Sequence, residues 1–498
     1  MTGQIIYAGY AIPMGSVVRD FAVYVEGGII QATGSRAQLT ERYPSVKQFG
    51  GDHFIMTPGF VNAHDHGRAI GTQSLGIPDS FLEVWLRSLG RLPSLPPYLA
   101  AAWEGLQLVK SGVTSVAHSH NPSAWETQFE EIPPTLKGYA DAGVRVAMHP
   151  VIVDQNALVY ADADTFIASL PGHLQKQAKI ASQPPPLSAD DYFGGLNALY
   201  REYHNTETHK VHIQASPAGG QWCSDKLILR AVEWAKANNT RVQMHMLETR
   251  YQRLYAFKTW GESFIQHLER IGALGNWLTL AHMVWVDDKD IPLLKEREVA
   301  VVHNPSSNLR LRSGIAPLDR LRRVGADVGI GLDGHALDDD QDYLREMRLA
   351  WTLANRPGVA GGDLDASRIF LIATAIGAAT AFQGAYPIGV LRDEARADLV
   401  LLDFSAMAEP IPIDADTDKS FLINLFLRRA NKSHVRHVMM GGEWVLRDGQ
   451  HTRLNEADLA AQIKDALTGQ MPDQILDELG AYLRRFYARW DNPPELCR

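Results

Sequence analysis

From Ile55 onward the chain alternates short, almost wholly apolar runs with amphipathic segments, and this rhythm constrains the fold more than any other feature. The runs are IMTPGFVNAH, VTSVAHSH, VRVAMHP, VHIQASP, RVQMHMLE, LTLAHMVW, VAVVHNP and VGIGLDG. Between them lie helical segments such as LAAAWEGLQLVKSG, SDKLILRAVEWAKANN and ESFIQHLERIGAL. Apolar runs of strand length are what parallel strands buried on both faces look like. The helical segments are long enough for right-handed crossovers. Eight such repeats predict an α/β fold: a closed (β/α)8 TIM barrel over residues 56–385 rather than an open sheet.

The two ends have a different texture. Residues 1–55 read as short strands with glycine turns, as in FAVYVEGGIIQATG, and strand texture returns over 386–453 in ADLVLLDF and HVRHVMMGGEWVLRDG. These parts are expected to pair into one small composite β-sandwich domain. Residues 454–498, with LAAQIKDAL and ILDELGAYLRRFYARW, predict a tail of two amphipathic helices whose apolar faces cover the barrel or a partner subunit. One strand-to-helix connection, about Asp154 to Asp191 with the rigid PPP at 184–186, is long enough to be a lid or binding loop.

Composition removes several classes of function. Lys and Arg total 48 against 57 Asp and Glu, a net charge of −9 without a basic block, which disfavours nucleic acid as a partner. Cys223 and Cys497 cannot build a disulfide framework, which fits a reducing compartment. The start, MTGQIIYAGYAIPMG, lacks a basic leader followed by an apolar stretch, and no run is long enough to span a bilayer. A cytoplasmic protein with no membrane partner is expected.

Most of the apolar runs carry histidine at or near their C-terminal ends, and the eighth ends in Asp333. In a barrel those ends converge on one face, where catalytic groups are found. His64 and His66 are two apart, so in an extended segment both imidazoles point the same way while Asp65 points the other. His245 and Asp333 offer a third nitrogen and a carboxylate, a set suited to one divalent ion: zinc first, with iron or manganese as alternatives. Singly, each residue has a bland counterpart: a strand-end histidine, a capping aspartate. Their joint placement at strand ends is what points to metal. Glu248, on the loop leaving the fifth strand, is positioned to reach back over the ion as a proton carrier, and His282 to hydrogen-bond a metal-bound water.

The segments PGFVNAHDH, MHMLE, LAHMVW, HNPSSNLRLRSGIAPL and GLDG, with the closing ADLVLLD, together resemble the aminohydrolase branch of the amidohydrolase superfamily. That branch holds cytosine, guanine and adenosine-analogue deaminases together with triazine hydrolases. The resemblance implies His64, His66, His245 and Asp333 as ligands, Glu248 as proton shuttle and His282 as the histidine on the water side. Binuclear relatives use a carboxylated lysine at the end of the fourth strand. VHIQASPAG offers none, so the resemblance implies a single ion. The segment GHALDDDQDY after Asp333 is more acidic than in many relatives, and it lies where substrate would bind.

The expected reaction is deamination of an amino-substituted nitrogen heterocycle, a small-molecule substrate. The alternative is hydrolysis of an amide, urea, carbamate or ring–substituent bond by the same site, and a scaffold that has lost catalysis is disfavoured by the full residue set. A divalent ion lowers the pKa of bound water to about 7, so hydroxide is available near neutrality. HExxH and the HxE with PCxxC signature of a different zinc-deaminase fold are absent. Pocket candidates are Trp85 and Arg87 after the first strand, His120 with Asn121 after the second, Trp222 after the fourth, and Asn308 and His335 after the seventh and eighth. Arg87 or Arg250 would meet an anionic substrate. A homodimer or larger homo-oligomer is expected.

Overall fold

A computed structural model describes every residue except 1–2, 206–207, 209, 357, 360–363, 383–386, 471–477 and 491–498. Cys497 therefore lies outside the described residues. Near the N-terminus run β1 (Gln4–Ala11), β2 (Val18–Glu26), β3 (Ile29–Gly34) and β4 (Lys47–Pro58). The barrel strands are β5 (Phe60–Asp65), β6 (Val113–His120), β7 (Arg145–Ile152), β8 (Val211–Ile213), β9 (Ser216–Pro217), β10 (Val242–Met246), β11 (Leu278–His282), β12 (Ala300–His303) and β13 (Val328–Ile330). Four more strands follow: β14 (Leu399–Asp403), β15 (Val435–Met440), β16 (Glu443–Arg447) and β17 (Gln450–His451).

Strands β5 to β8 pair in parallel in chain order, and so do β10 to β13. β9 extends the fourth position, pairing with β7, and parallel bridges Ala215–Val242 and Gly219–His245 join it to β10. The ring closes where the Asp333 N–H donates to the His64 carbonyl at 3.0 Å and the Leu332 N–H to Asn62 Oδ1 at 3.0 Å. Every residue of β5, β6 and β7 is buried, as the continuous apolar runs require. The intervening helices bury one stripe each. In Asp225–Ala237, Leu227, Ile228, Ala231, Val232, Trp234 and Ala235 face inward, and Ser224 caps the start by accepting from the Leu227 N–H.

The composite β domain expected from the two ends is a single hydrogen-bonded sheet of eight strands, in the order β17-β16-β15-β14-β4-β1-β2-β3. The chain ends join where β4 lies antiparallel to β14, with Pro58 opposite Leu399 and Phe54 opposite Asp403. Sheet and barrel are tied by a buried ion pair, Arg145 Nη2 to Asp398 Oδ2 at 2.8 Å, whose carboxylate also accepts the Gly441 N–H.

Both tail helices are present. Glu456–Leu467 lays Leu459 and Ile463 on Leu99, Ala102 and Leu106 of the helix Pro97–Lys110. Glu478–Ala488 buries Leu479, Leu483 and Tyr487. The long connection of 154–191 holds two short helices, Ala163–Ala168 and Gly172–Ala181. Among the described residues, no helix is long and apolar enough to cross a membrane.

Candidate active site

The strand ends bring four imidazoles and a carboxylate together. Donor atoms of His64, His245, His282 and Asp333 all lie within 4.8 Å of one another. His66 joins them: its Nε2 is 3.1 Å from Asp333 Oδ1 and 3.1 Å from His245 Nε2, and His64 Nε2 is also 3.1 Å from Asp333 Oδ1. The period of two along β5 puts His64 and His66 on one side. His282 and Asp333 turn out of their strands with φ of 77° and 60°, a left-handed backbone that costs non-glycine residues about 1–3 kcal/mol and concentrates at functional sites.

The far nitrogen of each imidazole fixes its tautomer. His64 Nδ1 faces Gln243 Oε1 at 2.7 Å, His66 Nδ1 the Ser119 carbonyl at 2.9 Å, and His245 Nδ1 the Ala218 carbonyl at 2.6 Å. Gln243 is fixed as an acceptor there because its amide donates to the Ala63 carbonyl. Each Nδ1 therefore carries the proton, which leaves the Nε2 lone pairs of His64 and His66 against Asp333 Oδ1 and that of His245 against His66 Nε2. His64 Nε2 and Asp333 Oδ1 are buried and make no hydrogen bond. Three buried lone pairs crowded against one another and a carboxylate repel unless a cation sits among them, and this donor set suits a zinc-like ion.

The surroundings set the proton inventory. Burial, then the Asp333 and Glu83 carboxylates, push Glu248 well above the usual carboxyl range. Burial would raise Asp333 too, but positive charge around it, carried by protonated His64, His66 and His282 where no cation takes their place, holds it well below that range. Its Oδ2 accepts from the Ser307 hydroxyl. Burial lowers His282 to about 4, and its Nδ1 faces Asn308 Oδ1 at 2.9 Å. The Nε2 of His282 is then 3.8 Å from Glu248 Oε2 and 3.9 Å from Asp333 Oδ2. These shifts favour a protonated Glu248, an ionised Asp333 and a neutral His282.

The other residues singled out from the sequence are dispersed. Asn308 reaches the site through His282. Trp85 is buried, edge-on to His335 at 5.2 Å, with the Arg68 guanidinium 5.0 Å from its ring. His335 Nε2 meets Asp79 at 3.1 Å. Trp222 stands 6.4 Å from the His245 ring and, with Arg87, lines a neighbouring cavity. His120 is apart from the cluster, paired with Glu131 at 3.3 Å and 3.4 Å from His118. Sequence reasoning missed Gln243, Ser307 and Arg68, whose Nη1 donates to the Asp333 carbonyl at 2.9 Å. Gln243 carried a signal: it lies two residues before His245 on the same strand, the spacing that relates His64 to His66.

Residues 55–445 match the family model described as "Amidohydrolase family". The chain belongs to the amidohydrolase family. A 5′-deoxyadenosine deaminase of Methanopyrus kandleri is 26% identical to this amidohydrolase over 462 residues, covering 91% of the chain and 96% of the relative. A 5-methylthioadenosine/S-adenosylhomocysteine deaminase of Thermodesulfovibrio yellowstonii is 26% identical with the same coverage of both. Among solved structures, a zinc-bound adenosine deaminase from Xanthomonas campestris superposes with a TM-score of 0.77 at 24% identity, covering 94% of this chain and 98% of that one. A mutant atrazine chlorohydrolase from Arthrobacter aurescens, complexed with zinc and atraton, gives 0.78 at 20% identity, over 93% and 100% of the two chains. The fold of this amidohydrolase is thus the one those enzymes share.

Proposed function

We propose that the protein is a deaminase of an amino-substituted heterocycle, of the adenosine-analogue kind named for its relatives, using one zinc ion held by His64, His66, His245 and Asp333. The observation that carries this reading is the crowding of the Nε2 atoms of His64, His66 and His245 with Asp333 Oδ1 in one buried cluster. Bound there, a divalent cation makes water acidic enough to attack near neutrality.

The chain's own side chains do the rest. Asp333, ionised and steadied by Ser307, accepts the proton of the attacking water. His282, fixed by Asn308, presents a neutral Nε2 between Asp333 and Glu248 and orients that water. Glu248 delivers its proton to the ring nitrogen as oxygen bonds to carbon. Asp333 passes the proton it took from water to the amino group, which leaves as ammonia, and the hydroxyl proton returns to Glu248 as the carbon becomes a carbonyl. Trp85, Trp222, Arg87 and His335 form the substrate side of the site, where aromatic walls suit a flat ring. A homodimer or larger assembly in a reducing cytoplasm, with Cys223 a buried thiol, belongs to the same reading.

The test is ammonia release by zinc-loaded protein across adenosine analogues and other amino-heterocycles. Stoichiometric ammonia and carbonyl product are expected. Release of a different ring substituent without ammonia would replace deamination by another hydrolysis at the same site.

A further inference from the structure

On Trp222, whose ring stands 6.4 Å from that of His245, opens a cavity of about 180 Å³, bounded also by Arg87, Leu86, Leu158, Tyr160 and Tyr487. Pockets for drug-sized ligands run roughly 300–1,000 Å³, so this one is small. Tyr487 comes from the C-terminal helix Glu478–Ala488, far in sequence from every other residue of the site. Leu479, Leu483 and Tyr487 share the buried face of that helix, four residues apart.

The helix is fastened to three connections that leave the C-terminal ends of barrel strands. After β5, Arg484 donates to Ser80 Oγ at 2.8 Å and Phe81 lies 6.2 Å from the Tyr487 ring. After β7, the Tyr160 N–H donates to the Tyr487 hydroxyl at 3.2 Å, the two rings are 5.6 Å apart, and Phe166 packs on Phe486 at 5.2 Å. After β10, Tyr251 meets Tyr487 at 4.7 Å. Tyr487 is 1% exposed. Its hydroxyl accepts from the Tyr160 N–H, and its ring, packed among Phe81, Tyr160 and Tyr251, lines the cavity.

We propose that Tyr487 determines specificity by size: it closes the cavity on the side opposite the reacting carbon, so the protein takes amino-heterocycles whose remote substituent is compact. The inference rests on the deaminase reading above, in which the ring lies over the cluster. A long charged extension of the substrate collides with Tyr487, and removing that ring admits it.

The experiment uses the zinc-loaded full chain with 5′-deoxyadenosine, 5′-methylthioadenosine and S-adenosylhomocysteine, a series graded in the 5′ group. The wild type is expected to favour the smaller members. Tyr487→Ala raises the kcat/KM ratio of S-adenosylhomocysteine to 5′-deoxyadenosine tenfold or more, carried by KM, whereas Tyr487→Phe retains the wild-type ratio. Should the alanine variant fail to fold, Tyr487→Leu reads the same ratio with an apolar side chain kept on the buried face. An unchanged ratio, or an equal fall across the series, overturns the proposal, because a merely structural tyrosine affects all three alike. Dissociation constants for the three nucleosides on zinc-loaded Glu248→Gln, with and without Tyr487→Ala, separate the two readings. Binding graded by 5′ size without ammonia from the wild type overturns deamination alone. Ungraded binding overturns the wall alone, and no binding of any member overturns both.

Discussion

At the floor of the site, His64, His66 and His245 leave strand ends with each Nδ1 held by a single acceptor, whereas at the roof Phe81, Tyr160, Tyr251 and Tyr487 meet ring against ring. Directional bonds fix an imidazole's tautomer and aim, which the chemistry needs. Ring packing excludes volume and tolerates substitution that preserves shape. If Tyr487 limits substrate size as proposed, reaction and size selection are set by separate parts of the chain. One can be altered without the other.

Three substitutions probe that separation. Glu248→Gln keeps the floor but removes the transferable proton, so kcat falls by about 10²–10⁴ with metal content by elemental analysis unchanged. A metal-free variant, or one with full turnover, would show that Glu248 belongs to a different part of the design. Gln243→Leu deprives His64 Nδ1 of its acceptor, and metal affinity in chelator competition weakens by about 10–100-fold. Unaltered affinity would mean that strand geometry alone aims His64. The smallest change is expected at the roof. Tyr487→Phe leaves the Tyr160 N–H without its acceptor and costs about 0.5–1.5 kcal/mol in urea unfolding, while metal affinity stays at the wild-type value. Loss of metal in that variant would join roof and floor into one unit.

The floor was legible because a strand's period of two is rigid: once His64 faces inward, so does His66, and strand ends in a barrel converge. His245 and Asp333 follow from the same rule. Gln243 obeyed it too, but a glutamine is not a metal-ligand type, and its role as an acceptor appears only when His64 arrives from another strand. Asn308 stood out as a pocket residue, yet its nearest duty is to His282, a contact that depends on how the short helix Pro305–Arg310 after β12 is placed. For the roof no local spacing exists, since Phe81, Tyr160 and Tyr487 are scattered along the chain. The tail's amphipathic period announced a helix, whose buried face proves to carry Leu479, Leu483 and Tyr487. It gave no means of choosing what that face would cover.

The pairing of β4 with β14 also governs how this chain must be made. Translation delivers residues 47–58 long before residues 399–403, and at roughly 5–20 residues per second the interval is on the order of tens of seconds. Throughout it, the flank of β4 that carries Ile55 and Met56 is an open hydrogen-bonding edge, the kind of surface on which nascent chains aggregate. A chain lacking β14 to β17 would keep every imidazole of the floor, so such a loss would be felt first in solubility and only afterwards in turnover.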